Sequence, residues 1–437
     1  MESNKEKNEK PEKNNENKTK DSKNKKSKKE QKETNKSENN TKEIKKLQPS
    51  IYKFDENSQI DYSIALKNYN LKNINPENNF LKSQSKLIQI LLKRNLIFAE
   101  RNLEKLNENQ NFFILYELLL SENTSLCLSE IIILNIIKNI MQSNQKIHLI
   151  IQIADDEFLI ESTGKFLFKQ IKNFSEEKIK NVLSILYDSE NMKNNIHIFS
   201  NYSFRTFCKN YESLVSDFKM QIIYKKVVEL FNITEDESVS KLDYPCYIAM
   251  ASNPNIYKQF ISDINENSTC LIINSIFFMN RYMLCFDASK INNFNEPVLI
   301  ALKIVNNLTG CNGYDCYFEN NKELKLLLED NEKILRKKIM KHSLSGSRGN
   351  GSLEDHKKFG GNVDVDISCQ YLKFLEEDDD KLNGFIEKFG KGELSCGEIK
   401  QILFEKLNEM FNKIRDNKEK NVNKELIESF RLEKEKN

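Results

Sequence analysis

The sequence predicts an α/β fold in which a doubly wound parallel sheet precedes an all-helical region. Two nearly continuous apolar runs, 111–120 and 146–154, have strand length and the composition of strands that are buried on both faces. Residues 126–142, which lie between them, have helical length and a broad apolar face, so the three segments predict a βαβ unit. From about Lys322 the sequence becomes charged and its apolar residues recur at helical spacing.

The amino-terminal 48 residues are predicted to be a disordered tail. They consist mainly of Lys, Asn, Glu and Ser, and such a segment cannot bury enough apolar surface to offset the entropy of ordering. Residues 1–50 contain 16 Lys and 10 Asp or Glu, a formal +6, which leaves −4 for the remainder of a chain whose net charge is +2. A basic tail can contact RNA or an acidic partner, or it can be a solvated tail without a specific partner.

The elements that flank the βαβ unit are predicted from the same patterns. Residues 85–107 are predicted to form two short helices, and 194–200 and 270–278 two further strands with helices between them. Residues 322–344 are predicted to form one charged amphipathic helix, followed by the Gly/Ser loop 345–352 and more helices.

Composition excludes several kinds of site. The nine cysteines contain no C-x-x-C pair and the four histidines have no metal-ligand spacing, so we predict no metal site and a reducing compartment, the cytoplasm. No apolar run approaches the ~20 residues of a membrane span, and the amino end has no signal-peptide core. The first glycine is Gly164 and the next is Gly310, which excludes a Gly-rich phosphate loop from the first three hundred residues.

The stretch 124–135, "TSLCLSEIIILN", has the shape of a phosphate site. Small polar residues, among them Ser129 as a helix cap, lie between a predicted strand and a predicted helix. A helix amino end that follows a strand in this way can hold an anion.

The most distinctive segment is 359–382, "FGGNVDVDISCQYLKFLEEDDDKL". From residue types alone, Gly360 and Gly361 predict a turn, Asp364 and Asp366 flank a helix start, and 377–380 is a solvated acidic helix end or loop.

The same letters resemble the carboxy-terminal region of eukaryotic-type cytoplasmic tryptophanyl-tRNA synthetases. The matches are FGGN-DVD, YL-F and EDDDKL within 359–382, Lys-His and Ser-Gly-x-Arg within 341–349, and Leu-x-x-Gly-Glu-x-Lys within 393–400. This resemblance implies a class I synthetase fold, a helical domain that grips the anticodon end of tRNA, and a homodimer. It divides the chain into four parts: the tail 1–48, a helical extension 49–110, a Rossmann-like catalytic-type domain 111–327, and an anticodon-binding-type helical domain 328–437.

The resemblance also implies residues for a tryptophan pocket. The family residues that hold tryptophan match Tyr116, at the end of the first strand, and Gln152 and Glu157 in "IQIADDE". An indole needs an aromatic-lined slot and an acceptor for its N–H, and these residue types can supply both. Judged by residue type alone, Tyr116 can equally be a core residue, and 155–157 can equally cap a helix.

The ATP side departs from the family pattern at four places. The His-x-Gly-His motif aligns with Cys127, Leu128, Ser129 and Glu130, and Glu130 would place a carboxylate beside the triphosphate. Within 116–125, Leu and Glu replace the family's glycines, and Phe277-Phe278 replaces an Asp-Gln step. The family's Lys-Met-Ser-Lys loop aligns with Cys316, Tyr317, Phe318, Glu319 and Asn320. The nearest cation that remains there is Lys322, which lies two residues further along the sequence.

These departures predict a catalytically inactive or severely impaired relative that is retained to bind tRNA, through its helical domain, or a protein such as a partner synthetase. No cofactor is expected for that role. The alternative is an active tryptophan–tRNA ligase with a heavily altered site, which would require ATP and Mg²⁺. The inactive relative and the active ligase predict different clefts beside Ser129. In the inactive relative Leu118, Phe277 and Phe278 would fill the cleft, whereas the active ligase needs an open cleft of the size of ATP.

Overall fold

The computed structural model describes a set of residue ranges that all lie after the predicted tail. They are 70–108, 111–119, 125–144, 146–154, 156–160, 166–170, 176–187, 190–200, 260–276, 296–305, 307–310 and 322–432, with the single positions 62, 66, 67, 254, 257 and 258. Predictions for the tail lie outside these residues.

Before residue 303 the described chain contains both strands and helices, and after it every element is a helix. The elements of the first part are β1 (Lys72–Asn73), α1 (Asn79–Lys82), α2 (Lys86–Lys93), β2 (Ile97–Arg101), α3 (Glu104–Glu108), β3 (Phe112–Leu119), α4 (Leu128–Ser143), β4 (His148–Ala154), β5 (Asp156–Ile160), β6 (Phe166–Gln170), α5 (Glu176–Leu186), β7 (Ile196–Ser200), β8 (Thr269–Ser275) and β9 (Val298–Leu302). Those of the second part are α6 (Glu332–His342), α7 (Leu353–Phe359), α8 (Ile367–Leu375), α9 (Asp379–Gly390), α10 (Cys396–Asn421) and α11 (Lys424–Phe430). Short 3₁₀ turns lie at Glu190–Asn195 and Lys322–Leu324.

In the described part of the chain, seven strands form one sheet in the order β1-β2-β9-β8-β3-β4-β7. The five strands from β9 to β7 are parallel, β2 pairs antiparallel with β9, and β1 pairs antiparallel with β2 at the edge of the sheet. From β3 the chain continues through α4 to β4 on one side, and β8 and β9 lie on the other side. The predicted doubly wound sheet is therefore confirmed, and its strand order reverses between β3 and β8, where α/β proteins bind ligands beyond the carboxyl ends of the strands.

The centre of the sheet is apolar because it is covered on both faces. Every residue of β9 is buried, and α4 is buried on nearly all sides because it packs against α5, α2 and the sheet. Each fully buried Leu or Ile contributes about 1.5–3 kcal/mol through the hydrophobic effect, so the Ile- and Leu-rich α4 is a main stabilising element.

Five of the nine described strands, β1, β2, β5, β6 and β9, were not predicted. Residues 97–101, expected to be helical, form β2, because Asn95 adopts a left-handed conformation (φ 55°) that ends α2 and the following apolar residues pair with β9. Strand β9 itself follows Pro297 in a short apolar run that could have been recognised as a buried strand.

The all-helical second part is confirmed, although its first helix is shorter than predicted. The expected helix 322–344 is interrupted: Leu327 forms an antiparallel bridge with Cys127, and helix α6 begins only after Asn331. The Asn331 side chain accepts a hydrogen bond from the Ile334 N–H (3.0 Å) and so caps α6. The predicted domain boundaries themselves stay predictions.

The distinctive segment 359–382 caps two helices and connects α9 to α2, and its sequence predicted only part of this role. Asp366 caps α8, as expected, by accepting the Cys369 N–H at 3.0 Å. The acidic run, expected to be a helix end or loop, spans the loop before α9 and its first turn: Asp378 caps α9, where a negative charge suits the helix dipole. Asp379 binds the guanidinium of Arg94 at 2.7 Å, and hydrogen bonds from Lys93 and Arg94 hold the pKa of its carboxyl below the usual range. The acidic run thus clamps α9 to the end of α2.

Within the described ranges, no helix is both long enough and apolar enough to cross a bilayer.

Candidate functional site

The candidate site lies beyond the carboxyl ends of the central strands, at the amino end of α4. Cys127 is the residue before the first helical turn, with an extended backbone (φ −85°, ψ 161°), and Leu128, Ser129 and Glu130 form that turn. The prediction that Ser129 caps the helix is wrong, because Cys127 holds the cap position and Ser129 lies within the first turn, with its hydroxyl 3.1 Å from the Cys127 sulfur. All four motif residues are buried.

Glu130 turns inward instead of facing a ligand. Its Oε2 accepts the backbone N–H of Cys127 at 2.8 Å, and its Oε1 lies 3.3 Å from the Nζ of Lys178 on α5. Glu130 is 7% exposed and Lys178 is 2% exposed, so the two form a buried ion pair. The carboxylate thus occupies a donor at the helix amino end, and its charge is compensated within the protein.

A second segment, the strap (residues 325–330), lies across the same helix end. The Leu128 N–H donates to the carbonyl of Leu326 at 2.9 Å, and the Leu328 N–H donates to the carbonyl of Leu126 at 2.9 Å. Anion sites at helix amino ends depend on backbone N–H groups that point at the ligand. Here the N–H groups of Cys127 and Leu128 are both bonded within the chain.

The strap is fixed from the helical part of the protein. The Nζ of Lys338 on α6 donates to both carboxylate oxygens of Asp330 (2.7 and 2.8 Å) and to the carbonyl of Lys325 (2.9 Å). Arg415 on α10 donates through one Nη to the carbonyls of Leu328 (2.7 Å) and Asp330 (3.1 Å). Two buried or partly buried cations therefore hold the strap against α4.

Cys127 cannot replace a phosphate donor. Burial, followed by the nearby Glu130 carboxylate, raises the pKa of its thiol to about 12. The thiol is therefore neutral at physiological pH and offers neither a cation nor a strong hydrogen-bond donor.

The predicted tryptophan residues do not all lie on one face of the sheet. Tyr116 in β3 is paired in register with Ile151 in β4, whereas Gln152 is paired with Glu117. Because side chains alternate along a strand, Tyr116 and Gln152 point to opposite faces. Tyr116 is 5% exposed and belongs to the apolar core on the α4 side, while Gln152 is fully buried beside the partly buried Glu117.

Glu117 is the residue of this site that the sequence reading missed. The sequence contains a signal for it, because Glu117 is the one carboxylate in the otherwise apolar strand Phe112–Leu119. Glu157 lies in β5, which pairs antiparallel with β6, so Asp156 and Glu157 do not cap a helix; residue 155 lies outside the described residues.

Other predicted positions bear on the ATP side. Leu118 is fully buried in the apolar core, and Lys322 begins a short 3₁₀ turn and is exposed. The motif positions Cys316, Tyr317, Phe318, Glu319 and Asn320, together with Phe277 and Phe278, lie outside the described residues. Among the residues that the structure does describe, no group of three or more His, Cys, Asp or Glu could hold a metal ion.

The chain was compared with protein-family models, and no family model matches it. Among curated proteins, the cytoplasmic tryptophan–tRNA ligase of Homo sapiens is 25% identical over 381 residues, which cover 85% of this chain and 77% of the relative. The cytoplasmic enzyme of Saccharomyces cerevisiae is 26% identical, with 85% and 84% covered, and the Sulfolobus acidocaldarius ligase is 25% identical, with 86% and 93% covered.

Solved structures match over the same extent. The tryptophanyl-tRNA synthetase of Plasmodium falciparum is 25% identical, covers 85% of this chain and 95% of its own, and superposes with a TM-score of 0.66. The tryptophanyl-tRNA synthetase homolog of Entamoeba histolytica is 22% identical, with 85% and 96% covered and a TM-score of 0.67, and it shows the shared fold.

Proposed function

The chain belongs to the tryptophanyl-tRNA synthetase family, and on that premise we propose that it is a catalytically inactive or severely impaired relative, retained to bind tRNA or protein. The observation that carries this proposal is the closed amino end of α4, where Glu130 and Leu326 occupy the N–H groups of Cys127 and Leu128. The relatives are named tryptophan–tRNA ligases, and a ligase of this class must hold the phosphates of ATP.

The closed helix end bears directly on the step in which a ligase of this class activates its amino acid with ATP. Attack on the α-phosphate is accelerated by positioning and by donors that stabilise the charge developing on the phosphate oxygens. Loss of a single donor of this kind typically lowers a rate by about 10²–10³. Here the motif's histidines and glycine are replaced, and the Glu130 carboxylate is paired with Lys178 and offers no donor.

We expect the purified chain to show no tryptophan-dependent exchange between ATP and pyrophosphate above background. The Saccharomyces cerevisiae ligase, assayed in parallel, is the positive control. Exchange that is measurable, and that disappears in Gln152→Ala or Glu157→Gln, would show instead an active ligase that uses ATP and Mg²⁺. It would also show that these two residues still hold tryptophan.

Binding of tRNA is supported by a basic stripe on α6. Lys333, Lys337 and Lys341 are spaced one turn apart on this helix, and all three are exposed. Such a stripe suits the phosphate backbone of a nucleic acid. We further propose a cytoplasmic location and a dimer, either with a second copy or with a synthetase, in line with the relatives that are named cytoplasmic.

If the stripe binds tRNA, replacing all three lysines by glutamine should weaken binding and reduce the slope of log K against log salt by about 2–3. Lys72, Lys82 and Lys86 are also exposed, so their triple glutamine variant makes the same charge change elsewhere and should alter binding little. Absent or salt-independent binding in the unchanged protein would leave only the protein-binding role.

A further inference from the structure

A cluster of polar and nucleophilic side chains lies at the amino end of α10, outside the site described above. The Cys396 sulfur is 3.1 Å from the Ser347 hydroxyl and 3.8 Å from Nδ1 of His356. Lys400, one turn along the same helix, is buried close enough to interact electrostatically with Cys396 and with Asp366. The cluster joins the Gly/Ser loop, α7 and α10.

The tautomer of His356 is fixed by its other nitrogen. Nε2 lies 2.9 Å from the carbonyl oxygen of Leu394, which can only accept, so Nε2 carries the hydrogen. In the neutral ring, Nδ1 therefore presents its lone pair to the Cys396 thiol. His356 is 2% exposed and packs against the ring of Phe389 at 5.1 Å, so the imidazole is held in this orientation. A nucleophile beside a base that a third group orients is the arrangement that activates cysteines.

Cys396 differs from the other cysteines that the structure describes. Burial raises the pKa of the Cys127 thiol to about 12 and the pKa values of Cys270 and Cys369 well above the usual value. Cys396 is partly exposed and is the first residue of a helix of 26 residues. Cys396 therefore has both solvent access and an oriented base, whereas Cys127, Cys270 and Cys369 are buried.

Two positive groups lie near Cys396. They are the amino end of α10, of which Cys396 is the first residue, and Lys400, which lies one turn further along the same helix. The exposed Glu398 carboxylate is directed to Ser395, where it accepts the backbone N–H at 2.8 Å and the hydroxyl at 2.7 Å.

We propose that Cys396 is a redox-sensitive thiol that hydroperoxides oxidise to a sulfenic acid, with His356 as the base. The thiol proton passes to Nδ1 of His356 while the sulfur attacks one peroxide oxygen and the O–O bond breaks. The leaving hydroxide takes the proton from His356, so thiol and hydrogen peroxide give sulfenic acid and water. Sulfur loses two electrons and the peroxide gains them.

Oxidation of Cys396 would place an oxygen atom in a tightly packed part of the helical region. The added oxygen must be accommodated beside the Ser347 hydroxyl, and Ser347 forms an antiparallel bridge with Gly361. Gly361 has no room to move inward, since even a Cβ at that position would lie 2.2 Å from the Phe389 ring. In the family stretches Ser-Gly-x-Arg and Leu-x-x-Gly-Glu-x-Lys, Ser347 and Cys396 occupy variable positions, so the pair belongs to this chain and not to the quoted pattern.

The test uses the reduced full-length chain, limiting hydrogen peroxide and dimedone, a probe that traps sulfenic acid, with the labelled peptides identified by mass spectrometry. We expect Cys396 to be labelled about tenfold faster than Cys127, Cys270 and Cys369. We also expect native Cys396 to react faster than the same cysteine in urea-unfolded protein, although the native thiol is less exposed. Equal or slower labelling of the native thiol would overturn the proposal.

The role of His356 is tested by His356→Gln, with folding checked by thermal melting. Slower labelling at Cys396, with unchanged labelling at Cys369, is expected because the base is removed. Labelling as fast as in the unchanged protein would contradict the proposed base. If this variant does not fold, the comparison of native with unfolded protein decides alone.

Discussion

Replacing Lys178 by methionine is expected to lower the free energy of unfolding by about 3–5 kcal/mol. The change leaves the Glu130 carboxylate buried, 7% exposed, without the cation that lies 3.3 Å away. Removal of one partner from a buried pair is costly because the remaining charge has lost its solvation and its counter-ion. Urea unfolding measures the effect as a lower midpoint with an unchanged slope.

The same helix supplies a matched control. Lys180 pairs with Glu177 at 3.9 Å on the surface of α5, and Lys180→Met should cost less than about 1 kcal/mol. The double variant Glu130→Gln, Lys178→Met should recover much of the loss, because no buried charge remains. Equal costs for Lys178→Met and Lys180→Met would show that Glu130 is not held as described.

This pair changes how the degenerate motif is understood. The sequence suggested that Glu130 would repel a triphosphate, which assumes that the carboxylate faces the cleft. In the fold it faces inward, bonds to Cys127 and meets Lys178 from a different helix. Glu130 therefore acts as a structural group that replaces the missing ligand at the helix end.

How far the sequence could predict the fold depends on the range of the interactions. The βαβ unit and the Asp366 cap are set by neighbours along the chain, and both were predicted. Strand β2 was not, because its partner β9 lies about two hundred residues away and local periodicity favoured a helix. The strap and the Lys178 contact are likewise long-range, so no local pattern indicated them.

The candidate tryptophan site shows the same limit at the level of side chains. The family resemblance named Tyr116 and Gln152 but carried no information on strand register. Register pairs Gln152 with Glu117 and turns Tyr116 towards the core. Glu117 therefore joins Gln152 as a residue to test in any tryptophan-binding experiment on this chain.

Lys338→Met is expected to destabilise the protein by a similar amount, about 3–5 kcal/mol, and to loosen the strap. Lys338 and Asp330 are both buried, and the ammonium bonds to both oxygens of that carboxylate. The Asp330 carboxylate in turn accepts the Leu327 N–H at 2.8 Å, so removing the cation disturbs the backbone of the strap. Hydrogen exchange should therefore accelerate at the amides of Leu128 and Leu328, which bond across the strap to α4.

Lys337, the neighbouring exposed residue on α6, provides the control, and Lys337→Met should leave both stability and exchange nearly unchanged. Faster exchange in both variants, or in neither, would contradict the role assigned to Lys338. Loosening the strap should not by itself create ATP–pyrophosphate exchange, because Glu130 still accepts the Cys127 N–H. The two closures act on different N–H groups of the same helix end, so opening one leaves the other in place.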